Sequence, residues 1–176
     1  MFKKVAAIAA VLGVAGFIAA AAVAGDRGRD FETDLTGYEE VPAVSTAAGA
    51  EVKVEVSRDG TEIRYRLRYR NLEGSVTQSH IHLGQEDVNG GVSVFFCSNL
   101  GNGPVGTQPC PPAPATVTGT LRAADVVGPA PQGIAPGEFE ELIRALRAGV
   151  TYANVHSSTF PGGEVRGQLD REHDRD

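Results

Sequence analysis

Three of the four histidines of this chain fall in segments that alternate like strands. His80 and His82 lie in Ser79-His80-Ile81-His82-Leu83, and His156 ends Tyr152-Ala153-Asn154-Val155-His156. Residues two apart in a strand project to the same side, so His80 and His82 could present two imidazoles to one ion, and His156 supplies a third if the two strands are neighbours. Three imidazoles suit copper first and zinc second, with the remaining position left to water or to a carboxylate such as the nearby Glu86 or Asp87. A structural account competes with this one. The same rings could hydrogen-bond to backbone groups and hold loops together, and Asn154, on the same strand face as His156, would serve such a network equally well.

Two further groups of residues could do chemistry. Glu164 and Arg166 project to one side of the last strand, where they could orient a histidine or form an ion pair of little net stability. Arg64, Arg66, Arg68 and Arg70 alternate with Ile63, Tyr65, Leu67 and Tyr69, which makes a row of four guanidiniums on one strand face. Such a row is either a solvated sheet face, offset by Glu51 and Glu55 on the preceding strand, or a docking surface for an anionic component of the cell envelope. No glycine-rich phosphate loop opens a helix and no GxSxG elbow is present, so no organic cofactor is expected and no catalytic residue can be named.

The elements that must position these residues are strands. Val52, Val54 and Val56 alternate with Glu51, Lys53 and Glu55; Arg58-Asp59-Gly60 then turns the chain into the arginine row, as in a hairpin. Leu35 to Pro42 reads as an opening strand with an edge or turn at Pro42. Val76–Leu83, Gly91–Phe96, Ala115–Leu121, Val150–His156 and Glu164–Leu169 complete the set, the last two joined through Phe160-Pro161-Gly162-Gly163. Between Pro136-Gly137 and Gly149, Phe139, Leu142, Ile143 and Leu146 recur at helical spacing, with acidic residues early, arginines late and Gly149 placed to end the helix. The expected fold is all-β: an antiparallel sandwich or barrel-like Greek-key domain with one short peripheral helix.

The chain has 176 residues, 41% of them apolar and 22% charged, which fits one soluble domain plus a processed or anchored terminus. Lys3 and Lys4 precede an unbroken apolar run to Ala24, and Ala22-Val23-Ala24 offers small residues for cleavage. We read residues 1–24 as an export signal, 25–30 as a polar linker, 31–170 as the β domain and 171–176 as a charged tail. The expected location is secreted or periplasmic, an uncleaved N-terminal membrane anchor being the alternative. Loss of Lys3 and Lys4 with the signal would take the net charge from −6 to −8, which argues against nucleic-acid partners. In an exported protein the only two cysteines, Cys97 and Cys110, are expected to pair and staple the Gly- and Pro-rich loop between them.

LTGYEEVPAVSTAAGA, SHIHLG and TYANVHSSTFPGGEVRGQL, in that order, resemble the opening, middle and closing motifs of the CHRD domain, the repeated module of chordin. The resemblance spans roughly residues 31–169 and implies a β-rich extracellular module whose pattern includes the histidines matched by His80, His82 and His156. The growth-factor partners of chordin do not transfer to a single domain, so a partner is expected only as an extracytoplasmic protein or anionic envelope component, and oligomeric state stays open. The His-x-His strand is also similar to the copper-binding strand of copper/zinc superoxide dismutase. Three histidines here, against the dismutase's six plus an aspartate, do not make a two-metal site. The expectation is an exported binding or structural module with a mononuclear histidine-rich metal site; the alternative is a copper-dependent redox enzyme.

Overall fold

The computed structural model describes residues 29–171; the segment expected to be an export signal, most of the expected linker and residues 172–176 lie outside the described residues. Among the described residues nine strands follow one another: β1 (Asp30–Thr36), β2 (Gly49–Val56), β3 (Ile63–Arg70), β4 (Val76–Leu83), β5 (Gly91–Ser98), β6 (Ala115–Leu121), β7 (Thr151–Ser157), β8 (Val165–Gln168) and the short β9 (Asp170–Arg171). One α-helix, α1 (Phe139–Arg147), precedes β7.

All neighbours are antiparallel and the order is β5-β4-β7-β8-β1-β2-β3-β6, with β9 pairing to β1. The non-sequential pairings β3 with β6 and β4 with β7 give the Greek-key connectivity. The two edge strands, β5 and β6, come together and nearly close a barrel. Side chains and loop complete the seam where the ladder does not: Tyr65 Oη donates to the Phe96 carbonyl at 2.7 Å, and Gln108 Nε2 donates to Tyr65 Oη at 2.6 Å and to the Thr118 carbonyl at 2.9 Å. Cys97 and Cys110 are disulfide-bonded, which fixes the loop that carries Gln108 at this seam.

Two-residue alternation decides which face each side chain takes. Val52, Val54 and Val56 of β2, Ile63 and Leu67 of β3, Ile81 of β4, Val94 and Phe96 of β5, and Ala153 and Val155 of β7 share one buried interior. The apolar stripe of α1, Leu142, Ile143 and Leu146, joins the same core, with Glu140 and Glu141 in its first turn and Arg144 and Arg147 in its last. Gly149 follows with a left-handed φ of 67°, which ends the helix.

The opening strand differs from expectation. The chain is extended over Asp30–Thr36 and turns into a 3-10 segment at Gly37–Glu39, rather than running as a strand from Leu35 toward Pro42. Thr33 is the reason: it is buried between Phe31 and Leu35 on the inner face, so the inward row includes a polar residue and begins four residues earlier than its apolar pattern indicates. At the other end, Arg171 extends β9 by pairing with Phe31.

Candidate metal centre

His80 and His82 point away from Ile81, and His156 points away from Val155, so all three rings stand on the outer face of the barrel wall. Pairing of β4 with β7, in which His80 lies opposite Asn154 and Gln78 opposite His156, brings them together. One ring nitrogen from each lies within 4.8 Å of the others. The β4–β5 ladder shifts register on either side of the His80–Ile81 pair, the kind of irregularity that re-aims side chains beside a site.

Outer-face residues of a barrel normally meet water, yet these rings are only 2%, 7% and 6% exposed at His80, His82 and His156. Loops cover them. Residues 84–90 bring the Gly90 carbonyl to 3.0 Å from His82 Nδ1, and the turn after β7 brings the Pro161 carbonyl to 2.9 Å from His156 Nδ1. Gly90 is required by close approach, since a Cβ there would run into the Leu83 carbonyl. The Gly90 N–H also donates to Tyr152 Oη at 3.1 Å, so one residue is tied both to a histidine and to the tyrosine stacked on it.

These contacts set the tautomers. A neutral imidazole has one proton, and a carbonyl can only accept, so Nδ1–H donates in His82 and in His156 and each Nε2 keeps a lone pair. Burial holds the rings neutral: it pushes His80 down to about 2 and His82 down to about 4, and it lowers His156 as well. The Asn154 amide lies 3.1 Å from His82 Nε2, and with the proton on Nδ1 it is the amide N–H that suits that lone pair. His156 Nε2 and both nitrogens of His80 are buried without any hydrogen-bond partner. Backbone networking therefore accounts for one nitrogen each of His82 and His156, and for neither nitrogen of His80.

Neutral rings fixed by Nδ1–H to carbonyl bonds, with Nε2 lone pairs turned inward, are the donor set of a histidine metal site. Ligand bonds of about 2.1 Å in a three-coordinate site place the nitrogens about 3.6 Å apart, so a pair as wide as 4.8 Å would close by about 1.2 Å around an ion. Phe95 of β5 meets the His80 ring edge-on at 4.4 Å between centroids and gives the cluster an apolar wall.

The other residues singled out from the sequence are placed as follows. Asn154 sits inside the cluster. Arg166 is buried behind it: its guanidinium lies 3.5 Å over the Tyr152 ring, whose neighbour on the β4 side is the stacked His82 ring at 4.7 Å. Arg166 Nη2 donates to the Gln85 and Val88 carbonyls at 3.1 and 3.0 Å, and Nη1 to Asn89 Oδ1 at 3.4 Å, so it anchors the loop that covers His82. Glu164 faces elsewhere. Its Oε1 accepts from Thr46 Oγ1 at 2.9 Å and from the Glu73 N–H at 2.8 Å, and among the described residues it has no ion pair with Arg166. Glu86 and Asp87 are exposed and outside the histidine group.

Arg64, Arg66 and Arg68 stand on the outer face of β3, where Glu55 lies 3.9 Å from Arg64 and Glu51 lies 3.7 Å from both Arg66 and Arg68. Arg70 continues the row at the end of the strand. This face is on the β1-β2-β3-β6 side of the barrel, away from the histidines on β4 and β7.

Sequence reasoning missed Phe95, Gly90, Tyr152 and Glu40. Glu40 is buried against Gly163 and beside Arg166; burial outweighs the guanidinium and raises its carboxyl to about 7. Its place in the EVP run of the opening motif was the available signal. The acceptors on His82 and His156 are main-chain carbonyls, which leave no trace in residue type.

Comparison with known proteins gives one match. No curated protein and no solved structure matches the chain, whereas the CHRD domain profile matches residues 31–169. That span runs from the first residues of β1 to the end of β8 and contains the whole histidine cluster with its covering loops. The chain belongs to the CHRD domain family.

Proposed function

We propose that this domain is an exported binding module whose outer wall carries a mononuclear transition-metal centre held by His80, His82 and His156, copper being the favoured metal and zinc the second. The observation that carries this reading is the buried His80 ring, which has two unpartnered nitrogens beside the inward lone pairs of His82 and His156. An unpaired buried polar group costs about 1–3 kcal/mol, and a metal ion removes that cost at the nitrogen it engages. Gly90 and Pro161 orient the rings through Nδ1, a bound ion would take the place of Asn154 at His82 Nε2, and Arg166 holds the covering loop through Gln85, Val88 and Asn89. A bound ion would supply a Lewis-acidic or redox-active point beneath the loops.

Burial of all three rings keeps anything larger than a small molecule from touching the centre, so we favour binding over turnover. The arginine row is a weaker basis for a partner, because Glu51 and Glu55 already supply counter-charge to three of its members. The test is metal analysis of protein purified without a histidine tag and challenged separately with copper and zinc. Near one equivalent in the wild type, lost in His80→Ala, His82→Ala and His156→Ala alike, is expected. No stoichiometric metal in the wild type would overturn the reading.

A further inference from the structure

The donor set around the cluster carries no negative charge. Three neutral imidazoles are its only metal-binding side chains among the described residues, and no carboxylate joins them. Glu164 is engaged by Thr46 and Glu73, Glu40 faces Arg166, and Glu86 and Asp87 are exposed. The one charged side chain stacked toward the centre is a cation, Arg166, on the far side of Tyr152 from His82. Phe95 closes one side of His80.

We infer that the centre is built to hold monovalent copper in preference to divalent copper or zinc. The inference rests on the reading of the cluster as a metal centre and specifies the ion. Each unit of charge placed in a buried, water-poor site costs free energy, and neutral donors offset less of it than anionic ones do. The monovalent ion brings half the charge of its divalent rivals. Coordination number points the same way: zinc completes a tetrahedron and divalent copper a tetragonal set, each needing further ligands, whereas monovalent copper is satisfied by two or three nitrogens. Three nitrogens under a cover of loops, with an aromatic edge on one side, match the low-coordinate ion.

The test is anaerobic titration of the full chain with monovalent copper against bicinchoninate, alongside separate titrations with divalent copper and zinc against chelators of known affinity. X-ray absorption reads oxidation state and coordination number. Expected are one equivalent of monovalent copper with three nitrogen neighbours and an affinity at least about 100-fold above that for divalent copper, which corresponds to a potential raised by about 120 mV. Asn154→Asp places an anionic oxygen where the amide now meets His82, and it should narrow that preference by about tenfold or more. Equal or tighter binding of divalent copper or zinc by the wild type would overturn the inference and leave the metal centre standing. Failure to take up any of the three ions would overturn both. Should Asn154→Asp not fold, the wild-type titrations alone decide.

Discussion

Lowering the pH from 7 to 5 should destabilise the metal-free protein by at least about 2 kcal/mol, the net of opposing terms that can be separated by one substitution, with His156, also lowered by burial, adding to the loss. His80 and His82 have folded-state values pushed down by burial to about 2 and about 4, against 6.5 in the unfolded chain. Between pH 6.5 and those values the unfolded state binds protons that the folded state does not, so stability falls as pH falls. At pH 5 both rings are still neutral when folded, and each costs about 2 kcal/mol relative to pH 7. Glu40 works in the opposite sense. Its carboxyl is raised from 4.5 to about 7, so the folded state takes up a proton first and gains about 2 kcal/mol over the same interval. Asp59, lowered from 3.8 mainly by Ser57, titrates below this window. Glu40→Gln should therefore steepen the loss to at least about 4 kcal/mol, a large share of the ~5–15 kcal/mol typical of a domain. Urea unfolding followed by circular dichroism at pH 7 and pH 5, with chelator present, reads both proteins. A Glu40→Gln protein equally stable at the two pH values would refute the assignment of buried neutral rings.

Three further outcomes follow from the same geometry. Gly90→Ala should cost about 1–3 kcal/mol through the clash with the Leu83 carbonyl, seen as a lower urea midpoint. It should also weaken metal binding about 10–100-fold by displacing the acceptor of His82 Nδ1, seen in the same competition titrations as the wild type. Replacing both Cys97 and Cys110 by Ser should lower stability by about 3 kcal/mol, as expected for a loop of 13 residues, while metal stoichiometry stays at the wild-type value. Neutralising Arg64, Arg66 and Arg68 to Gln should shift unfolding free energy by less than about 1 kcal/mol, because their pairs with Glu51 and Glu55 are long and solvent-exposed; a larger loss would show that the row is structural.

The strands were legible because period-two alternation is a property of each segment alone: β3, β4 and β6 have the bounds their patterns indicate, and Phe139–Arg147 forms the helix its apolar stripe describes. The opening strand was less so, since Thr33 occupies an inward position without an apolar signature. His80 and His82 are on one face by spacing, and only the β4–β7 pairing, which joins segments some seventy residues apart, adds His156. What a one-dimensional pattern could not convey is that this face, outside the barrel, is buried. That depends on loops whose contributions are carbonyls at Gly90 and Pro161 and an arginine anchored to the backbone at Gln85 and Val88. Residue type marked Arg166 and Glu164 as a pair, but Arg166 binds the covering loop while Glu164 ties Thr46 to the Glu73 backbone.

The most direct test of the central claim is an anomalous difference map at the copper edge from crystals grown with copper. The account predicts one strong peak on the outer wall of the barrel, about 2.0–2.1 Å from Nε2 of His82, Nε2 of His156 and one ring nitrogen of His80, with those rings drawn in toward it. A map with no peak among the three histidines, or with copper bound only at surface carboxylates, would contradict it.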